Sequence, residues 1–439
     1  MKNKTVNIVT LGCSKNTVDS EKLLRQLQAG GCEIHHDSND LSIPNVIINT
    51  CGFINDAKEE SIDTILSYIK VKEAGQIENL YVIGCLSERY TDALKTEIPE
   101  VTRYFGVRNI PEILYEMGVK MKPELINQRI LTGPGHYAYL KISEGCDRSC
   151  AFCAIPGIRG KYVSRPIEEL IRESQYLAEM GVKELILIAQ DISYYGLDLY
   201  KKQMLTDLVS ELLKIESLEW IRLHYLYPAK LPPRLIEMIR DNPRICKYID
   251  IPIQHISDRI LALMNRSHNR RETEETLEMI RSNLPGAAIR TTLITGHPGE
   301  TEKEFLEMKE FIKHFRFDRL GVFAYSHEEG THSYTYEDEI PEETKQARIS
   351  EIMEIQQEIS AELNDKLVGS TLKVLIDRGE EEFFIGRTEY DSPEIDQEVL
   401  IPSEYNLTPG NIYEVLITQS TDFDLFGTPI FSPLSSSVS

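Results

Sequence analysis

No run of more than about ten apolar residues occurs in the 439-residue chain, well short of the roughly 20 that a membrane-spanning helix needs. The first ten residues carry two lysines, but no apolar segment or small-residue cleavage site follows them, so the cytoplasm is the expected compartment. Basic charge is scarce as well: 48 Lys and Arg face 70 Asp and Glu, for a net charge of -22. Proteins that grip phosphates ordinarily show the opposite balance. Nucleic acid is therefore not the favoured partner and a basic one is electrostatically easier, although a local basic groove stays open. There is no internal repeat, and no low-complexity tract beyond the terminal SSSVS, which is expected to fray. What remains is an ordinary folding composition, 41% hydrophobic and 27% charged, with length for about two to four domains.

Over residues 1–125 short apolar runs, VNIVTLG, VIINT, LYVIG and RYFGV, alternate with amphipathic stretches, the pattern of a parallel sheet flanked by helices. The first three runs end in Cys13, Cys51 and Cys85, and helices are expected to begin near Asp19, Ala57 and Ser87. Ligands in open parallel sheets gather at the carboxyl ends of strands, so these three distant cysteines could meet at one place. Residues 119–136 read as a linker. Between 136 and 365 six strand candidates, YAYLKIS, ELILIAQ, WIRLHYL, YIDIPIQ, AIRTTLIT and LGVFAYS, are separated by helix-length segments, which predicts a partial six-unit (β/α) barrel of the TIM type. A charged amphipathic helix over about Pro341–Leu363 leads into residues 366–434. Short alternating strands broken by Gly379, Pro393 and Pro409-Gly410 predict a small antiparallel barrel there. The fold class is thus multidomain α/β with an appended all-β module.

Disulfides are improbable in a cytosolic chain of this size, which leaves metal ligation as the better reading of eight cysteines. Cys146, Cys150 and Cys153 lie in SEGCDRSCAFC, directly after a predicted strand. Three thiolates on one loop can hold three irons of a 4Fe-4S cubane and leave the fourth open. The amino and carboxylate groups of S-adenosylmethionine can chelate that iron, and one electron then releases a 5'-deoxyadenosyl radical. A zinc site or a closed ferredoxin-type cluster is the plainer alternative, but no fourth Cys or His follows locally.

Other positions carry weaker signals. Gln190 and Asp191 end the second barrel strand, where polar groups could meet the ribose or amino group of S-adenosylmethionine. Arg290 lies in the fifth strand, and Gly296 and Glu300 lie in the loop that ends it; the capping box Thr301-x-x-Glu304 explains part of that loop equally well. Arg165 could face the cofactor, or simply precede a helix that opens at Pro166. His224, His255 and His297 read more readily as hydrogen-bonded structural histidines than as catalysts, and Cys32 and Cys246 as packing residues.

Taken together, LGCSKNTVDS, NTCGFINDAKEES and GCLSERY around Cys13, Cys51 and Cys85, the radical motif, and a small terminal barrel resemble the methylthiotransferase family over nearly the whole chain. The resemblance implies three parts: an N-terminal methylthiotransferase domain, a radical S-adenosylmethionine domain and a TRAM domain, the last of OB-like type. It also implies a second 4Fe-4S cluster on Cys13, Cys51 and Cys85, associated with the sulfur and methyl group to be inserted. One S-adenosylmethionine would give its methyl by polar transfer, and a second the radical that abstracts hydrogen from an unactivated carbon. A cluster that only stores electrons or stiffens the domain is the alternative. SEGCDRSCAFCAIPGIRGKYVSRPIEEL, PIQHIS and GRTEYDSPEIDQEVLIP resemble the branch that modifies an aspartate of the twelfth small-subunit ribosomal protein at its beta carbon. The branch that modifies a transfer RNA adenosine typically has CNKYC and a more basic barrel, whereas residues from Lys366 onward hold four bases against thirteen acids. A basic ribosomal protein is thus the expected substrate, with Arg387 a candidate contact, for which ordinary strand packing is at least as good a reading. A transfer RNA enzyme and a non-enzymatic iron-sulfur protein are the alternatives. No residue pattern marks the electron donor or the sulfur donor.

Overall fold

The computed structural model describes residues 4–229 and 231–430; the terminal SSSVS lies outside them. Five parallel strands, β1 (Thr5–Thr10), β2 (Glu33–His36), β3 (Asn45–Thr50), β4 (Asn79–Gly84) and β5 (Arg103–Tyr104), form one sheet in the order β2-β1-β3-β4-β5. The central three are wholly or largely buried because α1 (Ser14–Ala29), α2 (Asn55–Glu73), α3 (Cys85–Glu97) and α4 (Ile110–Glu116) supply apolar faces to the sheet. All three helices that follow these strands begin earlier than apolar periodicity indicates, α1 at Ser14, α2 at Asn55 and α3 at Cys85. The first turn of α1 buries polar residues, Lys15 and Asn16, so no hydrophobic stripe marks its start. Strand β2, EIHH on the sheet edge, has no apolar alternation and escapes sequence reading for that reason.

All six expected barrel strands are present: β6 (Tyr137–Lys141), β9 (Glu184–Ile188), β10 (Trp220–Leu223), β11 (Tyr248–Asp250), β12 (Ala288–Thr295) and β13 (Arg319–Ala324). They run parallel as β6-β9-β10 and β11-β12-β13, and the halves join where Ile221 N–H donates to Arg244 O and Cys246 N–H to Ile221 O. The short antiparallel pair β7 (Ser143–Glu144) and β8 (Val163–Ser164) brackets the cysteine loop, which contains α5 (Ile155–Arg159). Helices α6 (Ile167–Glu179), α7 (Leu197–Tyr200), α8 (Leu205–Leu212), α9 (Pro233–Asp241), α10 (Asp258–Leu263), α11 (Arg270–Asn283) and α12 (Glu302–Phe315) connect the strands, and α13 (Glu342–Asp365) follows the last one. One apolar cluster, with Leu140, Leu187, Ile221, Ile249 and Ile289 among its members, joins the outer strand faces to helices such as α6, α8 and α12.

The terminal module is a closed barrel of β14 (Thr371–Gly379), β15 (Phe383–Thr388), β16 (Val399–Pro402), β17 (Ile412–Ser420) and β18 (Leu425–Pro429). It is not wholly antiparallel, because β16 and β18 pair in parallel to close it. Its β15–β16 loop enters the amino end of the large barrel. Arg222 donates to Glu389 O at 2.9 Å, Ser392 Oγ lies 2.9 Å from His224 Nε2, Tyr248 donates to Asp396 at 2.7 Å, and Arg319 pairs with Asp391 at 2.5 Å. Arg387, for which the sequence leaves both a partner contact and strand packing open, is 2% exposed and pairs with Glu184 at 2.5 Å and Asp377 at 2.8 Å. It anchors the module to the barrel.

The expected linker is packed rather than loose. Arg129 is fully buried, donates to Tyr139 O, and lies 3.2 Å from Glu21 of α1 and 3.5 Å from Glu173 of α6. Burial alone would push the Glu173 carboxyl up, but Lys22, Arg165 and Arg129 outweigh it and bring it down to about 2. A carboxylate depressed from its unfolded value near 4.3 stabilises the fold above that pH, and the contribution is lost as pH falls toward 2. Denaturant midpoints measured between pH 5 and 2 are expected to fall more steeply for the wild type than for Glu173→Gln; parallel curves would rule this out.

Candidate active site

The auxiliary cysteines sit at adjacent strand ends because β1, β3 and β4 are neighbours in register: Thr10 pairs with Asn49 and Thr50 with Gly84. Strands spaced about 5 Å apart then bring Cys13, Cys51 and Cys85 to one rim. Asn16 clamps the loops, its Nδ2 donating to Leu11 O at 2.8 Å and Thr50 O at 3.1 Å, while Asn49 returns a bond to Asn16 O at 3.0 Å. Gly12 has φ +87°, and a Cβ there would lie 2.7 Å from the Cys51 Cβ, so only glycine allows the first two cysteine loops to meet.

The loop of Cys146, Cys150 and Cys153 is held as firmly. Gly145, at φ +73°, runs so close to Lys161 that a Cβ would lie 2.2 Å from its carbonyl oxygen. Arg148 N–H donates to Cys146 Sγ at 3.4 Å and the Arg266 guanidinium to Cys150 Sγ at 3.4 Å. Ala151 receives Ser333 N–H at 2.7 Å and donates to Met264 O at 2.8 Å, which ties the loop to other barrel loops. Arg148 also pairs with Asp191 at 2.8 Å and stacks 3.8 Å above the Tyr227 ring, while Arg266 stacks on the same ring at 4.3 Å.

The two cysteine-bearing segments pack against each other. Ala154, next to Cys153, packs with Ile158 against Cys85 in one small apolar cluster. Arg159 then crosses the seam, donating to Asn16 at 2.7 Å and pairing with Glu144 at 2.8 Å and Asp19 at 3.3 Å. On the other side Glu328, 2% exposed, pairs with Arg89 at 2.7 Å and Lys58 at 2.9 Å, and Arg89 also donates to Gly52 O beside Cys51 at 3.0 Å. Glu328→Gln is expected to lower stability by about 1–3 kcal/mol, because two cations lose their counter-ion. An unchanged thermal midpoint would show that solvent already screens the triad.

The donor sets suit clusters. Among the described residues no three His, Cys, Asp or Glu side chains are arranged to hold a single metal ion; a cubane instead takes each thiolate on a different iron. Burial pushes the Cys85 and Cys146 thiols up to about 11 and Cys153 up to about 12, so iron must displace their protons. Cys13 is exposed at the rim; the protein packed around it still pushes its thiol up, but Lys15, Arg159 and the N–H groups of Asn16 and Lys15 outweigh this and bring it below its ordinary value. Positive groups at both sets thus match the negative charge of thiolate-ligated iron.

The other sequence-derived positions divide. Asp191 is buried beside Arg148 and accepts Ser193 N–H at 2.9 Å, and half-buried Gln190 precedes it at the mouth. Gly296 donates to Glu300 at 3.0 Å, and Glu300 pairs with Arg348 of α13 at 2.6 Å, so both shape the loop after β12; the Thr301–Glu304 capping box is present too. Arg165 is not brought to the cysteines: it pairs with Glu173 at 2.7 Å and donates to Asn127 and Lys141 O. Arg290 is engaged by Asp250 at 3.1 Å and Asp396 at 3.4 Å. His224, His255 and His297 are buried and hydrogen-bonded, and Cys32 and Cys246 pack in apolar clusters. Arg148, Arg159, Arg266 and Glu328 carried no sequence signal beyond ordinary charge.

Sequence profiles agree with this architecture. That of the Radical SAM superfamily matches residues 140–312, that of Uncharacterized protein family UPF0004 matches 5–106, and that of the TRAM domain matches 368–430. A ribosomal protein uS12 methylthiotransferase RimO from Bacteroides fragilis is 54% identical over 429 residues, 97% of this chain and 99% of the relative. The chain belongs to the RimO family. Family members from Cytophaga hutchinsonii (54% identity, 96% of this chain and 97% of the relative) and Flavobacterium johnsoniae (52% identity, 98% and 99%) match as completely. The RimO fold extends to more distant radical enzymes. The radical S-adenosylmethionine methyltransferase TsrM from Kitasatospora setae superposes with a TM-score of 0.54 at 13% identity, covering 90% of this chain and 80% of TsrM. Radical SAM membership implies S-adenosylmethionine and a 4Fe-4S cluster, and the N-terminal domain fits a second cluster. No helix among the described residues is long and apolar enough to cross a membrane.

Proposed function

We infer that the chain is a radical S-adenosylmethionine methylthiotransferase acting on ribosomal protein uS12, at the beta carbon of an aspartate, with two 4Fe-4S clusters and two molecules of S-adenosylmethionine. The observation that carries this reading is the packing of the segment after Cys153 on the N-terminal rim, Ala154 lying against Cys85, in a chain 54% identical to named RimO proteins. Cys146, Cys150 and Cys153 would hold the radical-generating cluster, and Cys13, Cys51 and Cys85 the auxiliary one. When bound, these groups supply the 5'-deoxyadenosyl radical and the sulfur to be inserted.

The remaining work belongs to the chain. Arg148 N–H and the Arg266 guanidinium donate to Cys146 and Cys150 and offset thiolate charge. Asp191 fixes Arg148, which leaves Gln190 and the Gly296 loop as cofactor contacts at the strand ends. Lys15, 3.8 Å above the Tyr225 ring, and Val18, packed on Tyr137, Ile186 and Ile188, carry α1 over the barrel interior and restrict water there. The terminal barrel favours a basic protein: of its four cations Arg387 is buried and Arg378 is paired with Glu380 and Glu398, which leaves Lys366 and Lys373 among thirteen acids. A ribosomal substrate places the work in the cytoplasm. Anaerobically reduced protein, given S-adenosylmethionine and purified uS12, is expected to add a methylthio mass increment to one aspartate. 5'-Deoxyadenosine without any change in uS12 mass would defeat the assignment.

A further inference from the structure

The β15–β16 loop of the terminal module carries five acids, and they do not share one environment; Glu398, at its end, pairs with Arg378 at 2.8 Å. Asp391, fully buried, is held by Arg319 at 2.5 Å and Thr388 at 2.6 Å. Asp396 is held by Tyr248 at 2.7 Å, Ser392 N–H at 2.9 Å and Arg290 at 3.4 Å. Glu389 accepts Lys247 N–H at 3.2 Å. Between these pins stand Glu394 and Ile395, both exposed, Ile395 by 54%. Glu394 has φ +71°, which a non-glycine residue keeps only where its surroundings impose it.

The carboxylate points inward. Glu394 Oε1 accepts the Tyr137 hydroxyl at 3.0 Å, and Tyr137 packs with Val18, Ile186 and Ile188 on the inner face of the barrel. Among the described residues no Lys or Arg pairs with it, in contrast to Asp391 and Asp396. Ile395 lines an opening with Arg290 and Gly321, and Phe323, 51% exposed, adjoins Gly321. An unpaired carboxylate and two exposed apolar side chains thus stand at the amino end and open edge of the barrel, whose opposite strand ends lead into the cysteine loop.

We propose that Glu394 is a specificity-determining residue that receives a Lys or Arg side chain flanking the target aspartate of the substrate protein, with Ile395 and Phe323 taking an apolar neighbour. The assignment rests on the proposed activity toward a basic ribosomal protein. A charge-assisted contact at this fixed point would set how far the substrate segment enters, and so which carbon reaches the cysteine loop. The terminal module would then position the substrate as well as attract it.

The test is equilibrium binding of uS12 to the full-length, cluster-loaded protein, with turnover measured on the same samples. Glu394→Gln is expected to weaken binding about tenfold at low salt and to raise KM alike with kcat within about twofold. Glu394→Asp should recover most of the loss, the exposed-site control Glu381→Gln should match the wild type, and the gap should narrow at high salt. The proposal falls if Glu394→Gln binds uS12 like the control, if only the affinity for S-adenosylmethionine changes, or if the Asp and Gln variants lose binding equally with lowered thermal midpoints. If the wild type itself leaves uS12 unmodified, the functional reading fails and takes the proposal with it. Modification by the wild type with indifference to Glu394 overturns the proposal alone.

Discussion

Cys150→Ala is expected to reduce 5'-deoxyadenosine formation to background, whereas Cys51→Ala keeps a measurable rate of S-adenosylmethionine cleavage and forms no methylthiolated product. The asymmetry follows from the two loops. Cys150 lies between Cys146 and Cys153 on the segment pinned by Arg266, Ser333 and Met264. Cys51 belongs to the separate rim made by β1, β3 and β4. Each variant should retain about four irons per chain, against about eight for the wild type. Anaerobic product analysis with iron quantitation reads both effects. If the two variants lost cleavage equally while keeping the other cluster, the division of labour between the sets would be wrong.

Arg159→Met is expected to destabilise the apoprotein by about 3 kcal/mol, the low end of the range for breaking a buried ion pair. The guanidinium is 1% exposed and joins Asn16 and Asp19 of α1 to Glu144 of the barrel. Its loss leaves Asp19 and Glu144 with Lys141 and partial solvent, which is why the cost stays at that low end. Lys141 and Arg159 together hold the Glu144 carboxyl well below its ordinary range against burial, so both contribute to the fold at neutral pH and lose their hold in strong acid. Arg159→Lys should restore less than half the stability, since one ammonium cannot span three acceptors in a fixed fork. Denaturant midpoints of the metal-free proteins measure this. A loss below about 0.5 kcal/mol would place Arg159 among ordinary surface charges.

These two predictions draw on residues that were unequally visible in the sequence. Cys146, Cys150 and Cys153 share one short loop, and their spacing with no fourth local ligand points to an open-site cluster. Cys13, Cys51 and Cys85 were traceable because VNIVTLG, VIINT and LYVIG are near-continuous apolar runs, as strands buried on both faces must be. Arg159, Arg148, Arg266 and Glu328 left no mark, since a charge buried at a domain seam has the same letter as one in water, and its partners lie up to 270 residues away. Arg165 stands before α6 as expected, but Glu173 one turn and more into that helix draws it away from the mouth. The β15–β16 loop, rich in acids and carrying Pro393, has the composition of a surface turn. It inserts because Arg222, Arg290 and Arg319, each on a barrel strand, turn their guanidinium groups toward it.

The central claim is that the two cysteine sets serve one sulfur insertion on a basic ribosomal protein. Its most direct test compares uS12 and total transfer RNA nucleosides from cells with and without this chain, by mass spectrometry. The account predicts that uS12 loses a methylthio increment from one aspartate while methylthio-adenosine is unchanged. Fully modified uS12 in cells lacking the chain, or loss of the nucleoside instead, would contradict it.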